Sequence, residues 1–183
     1  KNSCVITFSV MAFSTLTSSM AAFAFAKLRF PGKNVIFMML LATMMVPAVV
    51  LLVPDFIIYT KLKWIDTLLP MIVPASLCNV NNIFFMRQFM IGLPNGYLDA
   101  AKIDGCGYFR IFYSIIFPLL APATATVVIL KIVNIVNDMY VPYLYMPKTK
   151  LKTLTTFLMN YAGAQQGSWP TLAAAIIVVL IPT

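Results

Sequence analysis

The chain contains no histidine, and only five of its 183 residues are acidic. Without imidazole there is no His-ligated zinc, no Ser-His-Asp triad and no histidine proton relay. The sequence also lacks G-x-x-x-x-G-K-[ST], so it has no phosphate loop of that kind with which to hydrolyse ATP, and nothing in it calls for a cofactor. Cysteine is scarce: Cys4, Cys78 and Cys106 lack metal-ligand spacing, and the first two lie in apolar runs. All three read as small buried apolar residues. The largest deficit is charge. Asp, Glu, Lys and Arg make up 10% of the residues, against about 25% in an ordinary soluble domain.

Apolar residues fill that deficit, at 61% of the chain. A soluble fold would have to hide several runs of about 20 residues each, whereas a polytopic membrane protein simply exposes them to lipid. The net charge of +8 arises from 13 Lys and Arg set against so few acids. These bases fall in the gaps between apolar runs, where membrane-flanking charges belong, rather than among stacking aromatics on a nucleic-acid face. The fold class is therefore all-α, a polytopic transmembrane helical bundle.

Residues 2–26 form an uncharged first span with Ser14, Thr15, Thr17, Ser18 and Ser19 in its middle, small hydroxylated residues that let helices approach closely. Lys27, Arg29 and Lys33 follow around a Pro31–Gly32 turn. A second run, 34–54, is interrupted by Pro47, and 55–66 reads as a mixed polar stretch. A third span covers 67–91, and a fourth starts near Tyr113 and fades between Lys131 and Asn137. Residues 138–168 read as a longer loop, and 171–181 as the start of a fifth apolar helix. Both ends open into spans, so 1–183 reads as one transmembrane domain cut at both ends. Lys/Arg bias does not orient it: six bases lie on one side and seven on the other. The dense 27–33 turn alone favours its side as cytoplasmic.

Residues 92–112 interrupt this pattern with a polar segment. From Pro94 to Asp104 the residues fit a short amphipathic helix, with Pro94 in the first turn, Asp99 early and Gly105 as a left-handed stop. Ala100 and Ala101 leave a face of almost no bulk, and Asp104 adds charge. Two readings of these residues stand side by side. One is a projecting element on which another protein docks; the other is an ordinary interfacial loop with a glycine cap.

The stretch resembles the loop of the integral-membrane permease subunits of bacterial ABC importers, E-A-A-x3-G-x9-I-x-L-P. It reads Asp99-Ala100-Ala101, then Gly105, Ile115, Phe117 and Pro118 at the full spacing, with Asp for Glu and Phe for Leu. "SSMAAFAFAKLRFPGK" (18–33), "MMVPAVVLLVP" (44–54) and "FFMRQFMIGLP" (84–94) are similar to the carbohydrate class of these permeases, on the maltose-permease side. The resemblance implies about five of six family spans and a cytoplasmic coupling loop at 92–112 that seats in an ATPase. It places 27–33 on the same side, and 55–66 and 138–168 outside. Its implied partners are a cytoplasmic ABC ATPase dimer, a second homologous permease and a solute-binding protein. Where the family carries W-N-D/E, this chain has Val136-Asn137-Asp138, without the tryptophan.

Asn79, Asn82, Asn134 and Asn137, with Asn81, lie in or near spans and suit either hydrogen bonds along a translocation path or adhesion between helices. Asn81 and Asn82 cannot share one face, since neighbours on a helix diverge by ~100°. Tyr140, Tyr143 and Tyr145 suit stacking on sugar rings or, better, an interfacial aromatic belt beside the long loop, and Arg87 reads as a snorkelling anchor at a span end. The competing function is a secondary transporter or channel-like solute carrier without an ATPase partner. A secondary transporter would need coupling ionisable groups at mid-membrane, and the spans offer almost none. A membrane enzyme has no nucleophile–base constellation to work with.

Overall fold

The structure, a computed structural model, describes residues 1–77, 79–148, 151–164, 170, 173, 176 and 177. Cys78 and almost all of the fifth apolar helix expected over 171–181 lie outside them. The described residues form eleven α-helices with no strand: α1 (Asn2–Lys27), α2 (Lys33–Thr43), α3 (Ala48–Lys61), α4 (Leu69–Ser76), α5 (Val80–Ile91), α6 (Gly96–Ile103), α7 (Tyr108–Ile111), α8 (Phe117–Leu119), α9 (Ala121–Asn137), α10 (Tyr140–Tyr145) and α11 (Leu154–Ala164). A π-helical turn, Phe112–Ile116, joins α7 to α8. Among the described residues, Asn2–Lys27 and Leu69–Ile91 are each long and apolar enough to cross a membrane. Lys33–Thr43 with Ala48–Lys61, and Tyr108–Leu119 with Ala121–Asn137, qualify as bent pairs.

The second run breaks fully at Pro47. Instead of kinking within one helix, the chain leaves α2 through three consecutive i→i−3 bonds (Met44 to Leu41, Met45 to Ala42, Val46 to Thr43) and restarts as α3. Proline has no N–H to continue the ladder, and its ring clashes with the carbonyl four residues back, so the last turn tightens instead. The helix then runs to Lys61. Most of the supposed polar stretch 55–66 is therefore helical, because Asp55 and Lys61 are too few to end it. The 138–168 region likewise carries α10 and α11 rather than one long loop.

Two compact units divide the chain: residues 12–50 with 75–129, and residues 1–11 with 51–74 and 130–183. The first has a continuous core. Ala22, Phe23 and Phe25 of α1 enter it with Phe37 of α2, Ile83, Met86 and Met90 of α5, Leu98 and Ala101 of α6, and Ile111, Phe112 and Ile116. The α5 positions recur at helical spacing, one apolar stripe turned inward. Phe23 lies 5.6 Å from Phe112 and Phe25 5.4 Å from Phe37, centroid to centroid. Ser14, Ser18 and Ser19 are buried on α1, as small hydroxylated residues at a close helix contact should be. Thr17 Oγ1 lies 2.9 Å from the Ser76 carbonyl oxygen, and Asn82 Nδ2 donates to Ser14 Oγ at 3.3 Å. Cys4 is exposed and Cys106 half-buried, so the expectation of burial fails for the first and holds only in part for the second. One thiol on a 26-residue helix can face either way at little cost.

In the second unit, Tyr145 is buried at 2% exposure, and its ring meets Tyr59 edge-on at 5.0 Å. Its hydroxyl donates to the Leu52 carbonyl at 3.2 Å. It belongs to the core, not to an aromatic belt, because a partner carbonyl lets the phenol be buried. Tyr140 and Tyr143 remain exposed. Asp66 pairs with Lys148 at 3.2 Å.

Candidate coupling loop and its basic cleft

The loop begins where α5 ends at Gly92. Lys27, in the last turn of α1, donates from Nζ to the Leu93 carbonyl at 2.6 Å and to Asn95 Oδ1 at 2.8 Å. Asn95 stands at the N-cap of α6 with helical backbone angles (φ −69°, ψ −19°) and makes no capping bond, its side-chain oxygen accepting from Lys27 instead. Pro94 precedes that cap and so lies before the first turn rather than in it. Its fixed φ still suits the entry, but Gly96 takes the first helical position. Asp99 falls in the first turn, where a carboxylate complements the helix dipole.

The helix ends as its glycine requires. Cys106 N–H donates to the Ala101 carbonyl at 2.9 Å and Gly105 N–H to the Lys102 carbonyl at 3.0 Å, with Gly105 at φ +77°. This pair of bonds around a left-handed residue is the Schellman arrangement, and the residue following the glycine, Cys106, packs against the core. A Cβ on Gly105 would meet nothing within 4 Å, so only backbone conformation selects glycine there.

The two alanines part company. Leu98 and Ala101, three residues apart, form the inner face of α6 at 4% exposure each. Ala101 is thus a core residue and cannot itself be the open surface expected of it. Ala100 is exposed, as are Tyr97, Asp104, Gly105 and Ile103, the last at 87%. An isoleucine that bare at the tip of a polar loop leaves one signal in the sequence, its spacing from Leu98 and Ala101. Beyond the elbow, Ile115 is half-buried against the core and Pro118 is exposed. Pro118 explains the π-turn. It cannot donate to Ser114 and its ring would strike that carbonyl, so the preceding turn widens and Phe117 N–H reaches back five residues to Phe112.

Beneath the inner side of α6 lies a cleft of about 410 Å³, lined by Lys27, Arg29 and Lys33 from the α1–α2 junction and by Asp99, Lys102 and Tyr108. Lys33 Nζ donates to the Leu28 carbonyl at 2.9 Å, and the Lys102 ammonium lies 5.3 Å from the Tyr108 ring centroid. Arg87 is not a loose anchor. Its Nε donates to the Phe25 carbonyl at 3.2 Å while its guanidinium sits 4.1 Å from the Phe37 ring centroid, clamping α5 to α1 and α2.

Of the four asparagines singled out for a path, Asn79 and Asn82 belong to one compact unit and Asn134 and Asn137 to the other. Asn79 caps α5, accepting from Asn82 N–H at 3.2 Å, and Asn82 reaches Ser14. Both make bonds that hold helix ends and helix contacts together. Asn134 and Asn137 lie exposed and three residues apart on α9, in the other unit. Asp138, next along, is half-buried; burial pushes its carboxyl upward, while the Val141 and Tyr140 N–H groups act to lower it.

Residues 14–183 match the family model described as "binding-protein-dependent transport system inner membrane component". The arabinooligosaccharides transport system permease protein AraQ of Halalkalibacterium halodurans is 32% identical over 181 residues, covering 99% of this chain and 64% of that protein. The sn-glycerol-3-phosphate transport system permease protein UgpE of Escherichia coli is 30% identical over 183 residues, covering 99% and 65%. The chain thus spans a little under two thirds of the length of these relatives. A bacterial ABC transporter involved in the import of the acidic polysaccharide alginate shares the fold, with a TM-score of 0.73 at 24% identity, over 99% of this chain and 70% of that one. The multi-pass membrane chain described here belongs to the family of binding-protein-dependent transport system inner membrane components.

Proposed function

We propose that the protein is the membrane-spanning permease subunit of an ATP-driven importer, and that α6 with its glycine elbow is where a separate cytoplasmic ATPase docks. The observation that carries this reading is the exposed outer face of α6: Ala100, Ile103 and Asp104 stand out from a helix whose opposite face, Leu98 and Ala101, is fixed in the core. A bare isoleucine on a rigidly seated helix is a ready anchor for a partner cleft. Energy enters from outside the chain, since the sequence has no phosphate loop.

A second permease and a solute-binding protein complete the assembly. Exposed apolar residues on α2, among them Val35 and Met38, offer surface for lipid or for that second permease. The substrate class is a sugar or oligosaccharide. Arabinooligosaccharides, glycerol phosphate and alginate, named for the relatives, are all polyhydroxylated solutes. The bonds from Lys27 to Leu93 and Asn95 support putting 27–33 and 92–112 on one membrane face, taken as cytoplasmic, with 62–68 and the region after α9 on the other. Uptake of a labelled sugar panel by cells with and without the gene tests the class; no uptake difference for any sugar, with one for an unrelated solute, would overturn it.

A further inference from the structure

We infer that the cleft beneath α6 and the apolar groove beside it together hold one anionic phospholipid, its phosphate among the basic side chains and an acyl chain along α1. The inference needs only the chain's membrane location, and stands apart from the choice of transported solute.

The cleft gathers four cations, Lys27, Arg29, Lys33 and Lys102, against one carboxylate, Asp99, and none of them forms an ion pair among the described residues. Like charges brought together without counter-charges repel, unless an anion occupies the space between them. Lys27 and Lys33 each spend two of three N–H donors on carbonyl or amide oxygens, leaving one free apiece. Arg29 is exposed and makes no hydrogen bond among the described residues, so its whole fork is available. At about 410 Å³ the cleft falls in the ~300–1,000 Å³ range of small-molecule sites.

A bare phosphate would use only this polar half. The second observation is an adjoining groove of about 200 Å³ lined by Met20, Phe23 and Ala24 of α1 and by Phe109 and Phe112, with Leu28 and Tyr108 common to both spaces. From Leu28 back to Met20 is about 12 Å along the helix, in the direction of the bilayer core. The two spaces lie where α1 ends and α2 begins, the depth at which a span meets the headgroups. Polar and anionic at one end, apolar and membrane-directed at the other, the occupant they fit is a phospholipid with net negative charge. Phe109 is 71% exposed among the described residues.

Native mass spectrometry of the full-length chain in a non-ionic detergent tests this. Dioleoyl phosphatidylglycerol, dioleoyl phosphatidylcholine, glycerol phosphate and inorganic phosphate would be titrated separately. One equivalent of phosphatidylglycerol should remain bound at least tenfold more tightly than phosphatidylcholine, and the two water-soluble phosphates should not bind measurably at the same concentrations. Arg29→Gln should weaken the lipid about fivefold, the equivalent of the roughly 1 kcal/mol that a basic residue contributes near an anionic surface. Arg29→Lys should weaken it less. Phe109→Ser should weaken phosphatidylglycerol through the chain-binding half alone; both side chains are exposed, so neither change disturbs the core. Equal binding of the two lipids, equal binding of free phosphate, or unchanged affinity in both Arg29→Gln and Phe109→Ser would each overturn the proposal. So would displacement of the lipid on addition of a cognate ATPase, which would assign the cleft to the protein partner.

Discussion

Ala100 and Ala101 separate two consequences of the same substitution. A tryptophan at 101 must enter a site where Ala101 is 4% exposed beside Leu98, and overpacking of that kind costs ~1–3 kcal/mol. Ala101→Trp should therefore lower the unfolding midpoint in detergent and the yield in membranes. Ala100→Trp, on the exposed face, should leave both unchanged and act on docking alone. Gly105 gives a second residue-scale test. At φ +77° with no neighbour near its Cβ position, any penalty is purely conformational, about 1–2 kcal/mol for a residue bearing a Cβ. Asparagine tolerates this region better than a β-branched residue. Gly105→Val should thus reduce uptake far more than Gly105→Asn, while both insert normally. Equal activity in the two variants would show that the elbow's conformation is not what matters.

At the scale of elements, Arg87 holds three helices with one side chain. Arg87→Met keeps the apolar bulk but loses a charged hydrogen bond and a cation–π contact, worth together about 2–3 kcal/mol. Its thermal unfolding in detergent should shift down clearly, and Arg87→Lys should not restore the loss, since an ammonium cannot both bond the Phe25 carbonyl through Nε and lie flat on Phe37. The loop was the most legible element in the sequence, because turn chemistry is local: Pro94 at the entry and Gly105 at the stop bound α6 within two residues. Facing is not local. Alanine suits either side of a helix, so only the packed structure distinguishes Ala100 from Ala101. The break at Pro47, the π-turn before Pro118 and the caps at Asn79 were harder to foresee for a related reason. Each depends on how neighbouring turns absorb a lost donor, or on which of two adjacent asparagines reaches a helix end.

For the whole molecule, composition and run length were enough for an all-helical membrane chain, and four of the expected spans correspond to single or broken helices here. What composition left undecided was orientation, where charge counts nearly tie. The bonds from Lys27 into the start of the α6 loop make that a matter of one shared face. In a background with native cysteines replaced by serine, Lys102→Cys and Lys148→Cys should be labelled oppositely by a membrane-impermeant maleimide in intact cells: Lys148→Cys marked, Lys102→Cys silent until lysis. The reverse pattern would invert the topology and move α6 away from any cytoplasmic ATPase.

In the proposed role α6 transmits energy from a separate ATPase through its exposed outer face, and Ile103 is the residue on which that role turns. The most direct measurement is copurification of the assembled transporter carrying Ile103→Glu, with membrane abundance and uptake read from the same preparation. At 87% exposure Ile103 contributes little to folding, so the variant should reach the membrane in wild-type amounts. It should nevertheless lose the ATPase on detergent extraction and import substrate at background rates. An Ile103→Glu transporter that retains its ATPase and transports at the wild-type rate would contradict the account, leaving 92–112 as an ordinary interfacial loop.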